Sequence, residues 1–208
     1  MLLLQIAQLH DVAVIENDIY GDLCFSSHRP NTINSYDESG LVMTYSSFAK
    51  TLAPGIRLGW LNSGKFIARA EQIKFALGSS VSPIYQETVN RLIEGSSYDR
   101  HVRSFRLQLA KNAQFAINLL SAHFPKGIAI ATPSGGYNLW VRMPKHIDMQ
   151  LSSEQCETLC VRFTPGSPFP FPSAFAHYLR PPSPHTFTPN PPDVIRPLGT
   201  HFRPPPHR

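Results

Sequence analysis

Cysteine is scarce in this 208-residue chain, which has only Cys24, Cys156 and Cys160. Three thiols make no even disulfide framework. The Cys156 and Cys160 pair, four apart on a predicted helix, has no second pair to complete a zinc site. A reduced, cytosolic protein is the expectation. Long apolar runs are missing too. Met1 to Leu4 open an apolar stretch, but Gln5, Gln8, His10 and Asp11 interrupt it far short of a spanning or secretory length. That segment reads as the last turns of an amphipathic helix. The nine histidines are scattered without ligand spacing, so no metal centre is expected. The formal charge is +5, yet no helix-turn-helix, zinc-finger or aromatic RNA-binding pattern accompanies it. The positive excess gathers toward the C-terminus rather than along one helical stripe. Anion binding and a biased C-terminus explain the balance without a nucleic acid.

Acidic residues nearly vanish late in the chain. Asp193 is the sole one from Pro165 onward, and fourteen of the twenty prolines lie in that same span. Proline removes backbone donors and disfavours helix and central strand, so residues 167–208 are expected to be largely irregular.

What is present is 42% hydrophobic residues, enough for one sizeable domain or one and a half. Val12 to Ile15 form an apolar, β-branched run that ends in Glu16, Asn17, Asp18 and Tyr20. This reads as a buried parallel strand delivering polar side chains at its C-terminal end, where open α/β sheets bind ligands. Leu41 to Tyr45 and Arg57 to Asn62 are further strand candidates. Helical spacing covers residues 65–78, then Pro83 to Ile93, then about Tyr98 to His123, with Val102, Phe105, Leu109, Ala113, Ala116 and Leu120 on one side. Strands at Ile128 to Ala131 and Tyr137 to Arg142 flank Gly135-Gly136, a glycine pair suited to a tight turn or to close approach by a ligand. Ser153 to Cys160 reads as a short helix.

The densest chemistry lies in Ser46-Ser47-Phe48-Ala49-Lys50 and its continuation Thr51-Leu52-Ala53-Pro54-Gly55-Ile56-Arg57-Leu58-Gly59-Trp60. An amine, two hydroxyls and a guanidinium fall close together in sequence. That set suits a cofactor carrying both an aldehyde and a phosphate. The lysine can form a Schiff base, and the serines and the forked guanidinium can hold the anion.

These residues resemble the pyridoxal-phosphate lysine motif of class I/II aminotransferases of fold type I, and most of all the aminotransferase domain of GntR/MocR-type transcriptional regulators. The likeness runs from about residue 1 to about residue 166. It implies an α/β fold: the C-terminal half of a fold type I transferase, with a partial large-domain sheet and a small α+β domain. Residues 1–97 would be the partial cofactor domain, 98–166 the interdomain helix and small domain, and 167–208 the proline-rich tail. By resemblance Lys50 forms the Schiff base and Tyr20 bonds the cofactor's phenolic oxygen. Ser46, Ser47 and Arg57 hold the phosphate, and Arg180 clamps the substrate α-carboxylate. Gly135-Gly136 would lie near the substrate.

Where the family has an Asp three residues before the tyrosine, this chain has Asn17. A carboxylate stabilises a protonated pyridine ring as an electron sink; an amide supplies no charge. Asn17 and the adjacent Asp18, which strand alternation turns to the other face, stand as competing partners of the ring nitrogen. The family's glycine-rich phosphate loop, its ring-stacking aromatic and the regulators' N-terminal DNA-binding domain have no counterpart, so a C-terminal fragment is expected. DNA contact is then expected only through that absent domain. The resemblance implies a homodimer in the full-length proteins, an amino-acid or amine ligand, and no membrane partner. Three functions stay open: an amino-acid aminotransferase, an effector-sensing domain with little turnover, and an inactive remnant.

Overall fold

The computed structural model describes residues 2–26, 28–78, 80–158, 163–168, 172–181 and 191–202. The chain divides into two units, Met1–Arg106 and Leu107–Arg208.

In the first unit, helix α1 (Leu2–Leu9) buries Leu4 and Ala7 on one side. Strand β1 (Val14–Asn17) runs parallel to β2 (Val42–Ser47), and β3 (Gly59–Asn62) closes the sheet antiparallel to β2 in the order β1-β2-β3. Register sets Asn17 beside Tyr45, Ser46 beside Trp60 and Ser47 beside Gly59. One sheet face carries Val42 and Thr44 into the core, while Ile15 and Leu61 on the other face are largely exposed. The observed strands match the expected apolar runs with short shifts at their ends.

The crossover from β1 to β2 contains 3₁₀ turns at Gly21–Leu23 and Ile33–Tyr36. It is anchored by Glu16, whose carboxylate accepts N–H groups from Ile33 (2.7 Å) and Asn34 (3.3 Å) and the Thr44 hydroxyl (2.9 Å). Asn34 in turn donates to the Val42 carbonyl at 3.0 Å and accepts from Asn62 at 3.0 Å. A half-buried acid therefore satisfies loop N–H groups that would otherwise compete with the sheet. Helix α2 (Ile67–Ala76) buries none of its residues, and α3 (Pro83–Glu94), opened by a proline in its first turn, buries only Val89.

Helix α4 (Ser97–His123) is the long helix that the apolar spacing indicates. Val102 in the first unit is buried, as are Leu109, Ala113, Ala116 and Leu120 in the second; Phe105 is only half-buried. In the second unit β4 (Ala129–Ala131) and β5 (Trp140–Arg142) pair antiparallel across a turn where Gly136 takes φ 74°. Helix α5 (Met149–Thr158), strand β6 (Thr164–Pro165), the short helix α6 (Pro172–Phe175), strand β7 (Tyr178–Arg180) and helix α7 (Pro191–Phe202) follow. Cys160 lies outside the described residues. The sheet order is β4-β5-β7-β6, with Val141 and Leu179 fully buried at its centre.

The proline-rich stretch thus contains regular structure among its described residues, where the composition pointed to irregular chain. The reason is position. Pro191 and Pro192 occupy the first turn of α7, where a missing N–H costs nothing. Only Pro197 lies in its interior. Ile195, Leu198 and Phe202 bury one side of α7, with the Phe202 ring 5.4 Å from Phe124 and 5.8 Å from Phe163. Apolar burial outweighs the one lost helix bond.

Candidate active site

Two parallel strands ending side by side define the site. Past the end of β1 come Asp18 and Tyr20; β2 ends in Ser46 and Ser47, with Lys50 three residues on. The Asp18 N–H donates to the Tyr45 carbonyl at 2.9 Å, so the strands stay in step to their ends. The Ser46 hydroxyl then donates to the Asp18 carbonyl at 3.1 Å. Five of the seven cofactor-site candidates in this unit therefore lie on or just beyond one edge of the sheet, and the other two follow in the next turn of chain.

The lysine loop is closed by backbone and hydroxyl bonds. The Leu58 carbonyl accepts the Phe48 N–H at 3.0 Å and the Ser47 hydroxyl at 3.3 Å. Ser47 Oγ accepts the Ala49 N–H at 3.2 Å, and the Phe48 carbonyl accepts the Leu52 N–H at 2.8 Å. Lys50 itself is exposed, whereas its neighbour Thr51 is buried. Arg57 ends the 3₁₀ turn Pro54–Ile56 in the left-handed region, at φ 50° and ψ 31°. That conformation costs a non-glycine residue about 1–2 kcal/mol. The Arg57 side chain is exposed and has no hydrogen bond or ion pair among the described residues. Gly59 follows for a steric reason: a Cβ there would stand 2.5 Å from the Ser46 carbonyl oxygen. Only glycine lets β3 start this close to the serines.

Asn17 and Asp18 differ in surroundings. Asn17 is exposed, and its Oδ1 accepts the Ile19 N–H at 3.1 Å. That bond orients the amide and leaves Nδ2, a donor, as its outward group. Asp18 is half-buried and forms an ion pair with Arg29, which also holds Asp22 at 2.5 Å. Burial pushes the Asp18 carboxyl upward, and the Arg29 charge opposes that without reversing it. Tyr20 caps the Gly21–Leu23 turn and is 41% exposed.

A second layer was not legible in the sequence. Tyr98, at the start of α4, places its phenolic oxygen 2.7 Å from Asp22 and 3.1 Å from the Thr51 hydroxyl. Burial, reinforced by the Asp22 bond, pushes this phenol above its ordinary range, so it donates as a neutral group. His101 Nε2 lies 2.8 Å from the Thr51 carbonyl and must carry the proton. Gly21 fits beneath, because a Cβ there would strike the Asp18 carboxylate and the Arg29 guanidinium. Nothing in local spacing links Tyr98 to Thr51 or Asp22; the only signal was a Gly directly after Tyr20.

Arg180 belongs to the second unit, on β7, where its guanidinium donates to the Thr164 hydroxyl at 3.2 Å. The cross-strand register sets it opposite Thr164, and on the neighbouring strand Trp140 stacks on Tyr178 at 5.4 Å. No described group of His, Cys, Asp and Glu could hold a metal ion. No described helix is long and apolar enough to cross a membrane.

The donor set in the first unit fits a phosphorylated aldehyde. It offers one exposed amine, one guanidinium without a competing carboxylate among the described residues, and two strand-end hydroxyls that would have to turn from the Asp18 and Leu58 carbonyls to donate to an anion. Of the two candidates for a ring nitrogen, Asn17 offers an outward amide and Asp18 a carboxylate already paired with Arg29.

Comparison with known proteins places this geometry in context. The family model for aminotransferase class I and II matches residues 1–178. The chain is 33% identical over 177 residues to the HTH-type transcriptional regulator YjiR of Escherichia coli (strain K12), covering 85% of this chain and 38% of that protein. It is 34% identical over 145 residues to the HTH-type transcriptional regulator NorG of Staphylococcus aureus (strain USA300), covering 69% and 33% respectively. Among solved structures it resembles the kynurenine aminotransferase of Pyrococcus horikoshii, in complex with PMP, at TM-score 0.84 and 25% identity, covering 97% of this chain and 50% of that one. The chain thus spans about half of the solved enzyme and a smaller share of the regulators, and its fold is that part of a fold type I transferase.

Proposed function

The chain belongs to the class I and II aminotransferase family, and on that premise we propose that it binds pyridoxal 5'-phosphate at Lys50 and acts on the amino group of an amino acid. The observation that carries this reading is the grouping of Ser46, Ser47, Lys50 and Arg57 on one closed loop at the ends of two parallel strands. When bound, the cofactor supplies the electron sink for amino-group transfer. Arg57 would hold its phosphate, with the guanidinium free to offer two parallel donors, and the Ser46 and Ser47 hydroxyls would join it on turning from the Asp18 and Leu58 carbonyls. Lys50 would hold its aldehyde carbon. The Lys50 amine would be the base that takes the proton from the substrate Cα. Tyr20 would donate to the phenolic oxygen.

A specific feature favours a second reading, an effector-sensing domain with little turnover. Asn17 turns an amide N–H outward, its oxygen being held by Ile19. A donor there suits an unprotonated ring nitrogen, which withdraws electrons weakly. The relatives that are transcriptional regulators accord with this. Both readings share the Lys50 site.

The test is retention of pyridoxal phosphate. The chain should keep the visible absorbance of a lysine-bound cofactor through gel filtration, and Lys50→Ala should lose it. Adding amino acids and measuring oxo acid then separates the readings: release in repeated turnovers supports the enzyme, and a spectral change without release supports the sensor. No retained band would contradict both.

A further inference from the structure

The bonds around Thr51 form a frame whose place beside Lys50 suggests a task. Asp18, at the end of β1, pairs with Arg29; Arg29 pairs with Asp22; Asp22 accepts from Tyr98; and Tyr98 meets Thr51, the residue after the lysine. The phenol has one proton. A carboxylate can only accept, so that proton goes to Asp22 and the Thr51 hydroxyl donates to the phenolic oxygen. His101 adds a bond to the Thr51 carbonyl, so both the side chain and the backbone of this residue are held by the same helix turn. The Tyr98 ring also meets Phe48 edge-on, with centroids 5.8 Å apart. Lys50 is therefore bracketed by two residues, Phe48 and Thr51, that are both seated on Tyr98.

Three features argue for more than generic packing. Thr51 is 3% exposed beside an exposed lysine, a sharp change that a free surface loop would not show. The chain of partners starts at Asp18, the candidate next to Asn17, so the frame ties the β1 end to the lysine loop. Its members come from three separate stretches of sequence, residues 18–29, 48–51 and 98–101. We infer that Tyr98 is a positioning residue for Lys50, fixing the lysine backbone against the end of β1 through Asp22 and Thr51. The inference rests on the Lys50 reading above and adds the element that orients the amine.

Tyr98→Phe keeps the ring contact with Phe48 and removes only the hydroxyl. Hydrogen exchange of the 49–53 amides in the unliganded chain should accelerate about tenfold, the scale set by losing one charge-assisted bond. The pyridoxal phosphate concentration that half-saturates borohydride labelling of Lys50 should rise by a similar factor. Thr51→Val should reproduce both effects and Thr51→Ser should restore them. Val89→Ala, a core truncation elsewhere in the unit, serves as the control for lost stability and should leave the half-saturating concentration unchanged. Unaltered exchange in Tyr98→Phe overturns the inference whether or not cofactor binds. Accelerated exchange with unchanged labelling also overturns it, leaving Tyr98 a structural group only. If the unsubstituted chain shows no selective labelling, the Lys50 reading itself fails and the positioning role falls with it.

Discussion

Replacing Glu16 should cost more stability than any other single polar substitution in the first unit. Its carboxylate accepts two loop N–H groups and a hydroxyl, at 2.7, 3.3 and 2.9 Å, and Thr44 is 3% exposed. Removing the acceptor leaves Ile33 and Asn34 N–H groups and a buried hydroxyl to find new partners. At about 1–3 kcal/mol for each unsatisfied buried group, and with the 3.3 Å bond the weakest, Glu16→Ala should lose about 3–5 kcal/mol. Glu16→Gln keeps one oxygen for Ile33, and its new N–H₂ can donate to Thr44. It still turns a donor toward the Asn34 N–H. Its loss should therefore be smaller, about 1.5–3 kcal/mol. Against a typical domain stability of about 5–15 kcal/mol, the alanine variant is close to unfolding. Urea titration monitored by amide exchange in β1 and β2 measures both. A loss below about 1 kcal/mol in Glu16→Ala would refute the anchoring role of the carboxylate and the ordering of the crossover that depends on it.

Other expectations follow the same physics. Burial would push the Asp37 carboxyl up, but the Ser39 hydroxyl and the N–H groups of Val42, Ser39 and Gly40 hold it below its usual range. A lowered folded value means its stabilisation is complete above the unfolded value of about 3.9 and is lost as pH falls through the folded one. The urea midpoints of the unsubstituted chain and Asp37→Asn should thus differ at pH 6 and converge as pH falls through the folded value. Gly59→Ala drives a methyl to 2.5 Å from the Ser46 carbonyl, so it should cost about 1–3 kcal/mol in a urea titration and reduce cofactor retention. Arg57→Gly relieves a left-handed residue at φ 50°, so thermal melting should hold or rise while pyridoxal phosphate retention weakens. Asn17→Asp should raise oxo-acid release at least tenfold if the amide limits turnover, and a spectroscopic half-reaction with an added amino acid would show it.

Much of the fold could be read from periodicity, because burial imposes it. The spaced apolar positions of α4 announce one buried side; β1 was legible as a strand, but its expected burial is not met, since Ile15 is 68% exposed and Val14 only half-buried. Lys50, Ser46, Ser47 and Arg57 could be nominated because their spacing is local and their chemistry specific; the fold brings them onto one loop. Glu16 was not: an acid inside a strand reads as solvated until its loop partners are known. Tyr98 lay further out of reach, since its contacts with Asp22 and Thr51 join residues 76 and 47 positions apart. The late prolines misled for a different reason. Counting prolines ignores where they fall, and two of them open α7, where proline is tolerated. The choice between Asn17 and Asp18 gained content only from their neighbours, Ile19 for one and Arg29 for the other.

The central claim, that Lys50 is the residue that captures the cofactor, is tested most directly by borohydride reduction of the purified chain with pyridoxal phosphate, followed by peptide mapping. The account expects one pyridoxyl adduct, on Lys50, that disappears in Lys50→Ala. Labelling spread evenly over the lysines, or selective labelling of a lysine other than Lys50, would contradict it.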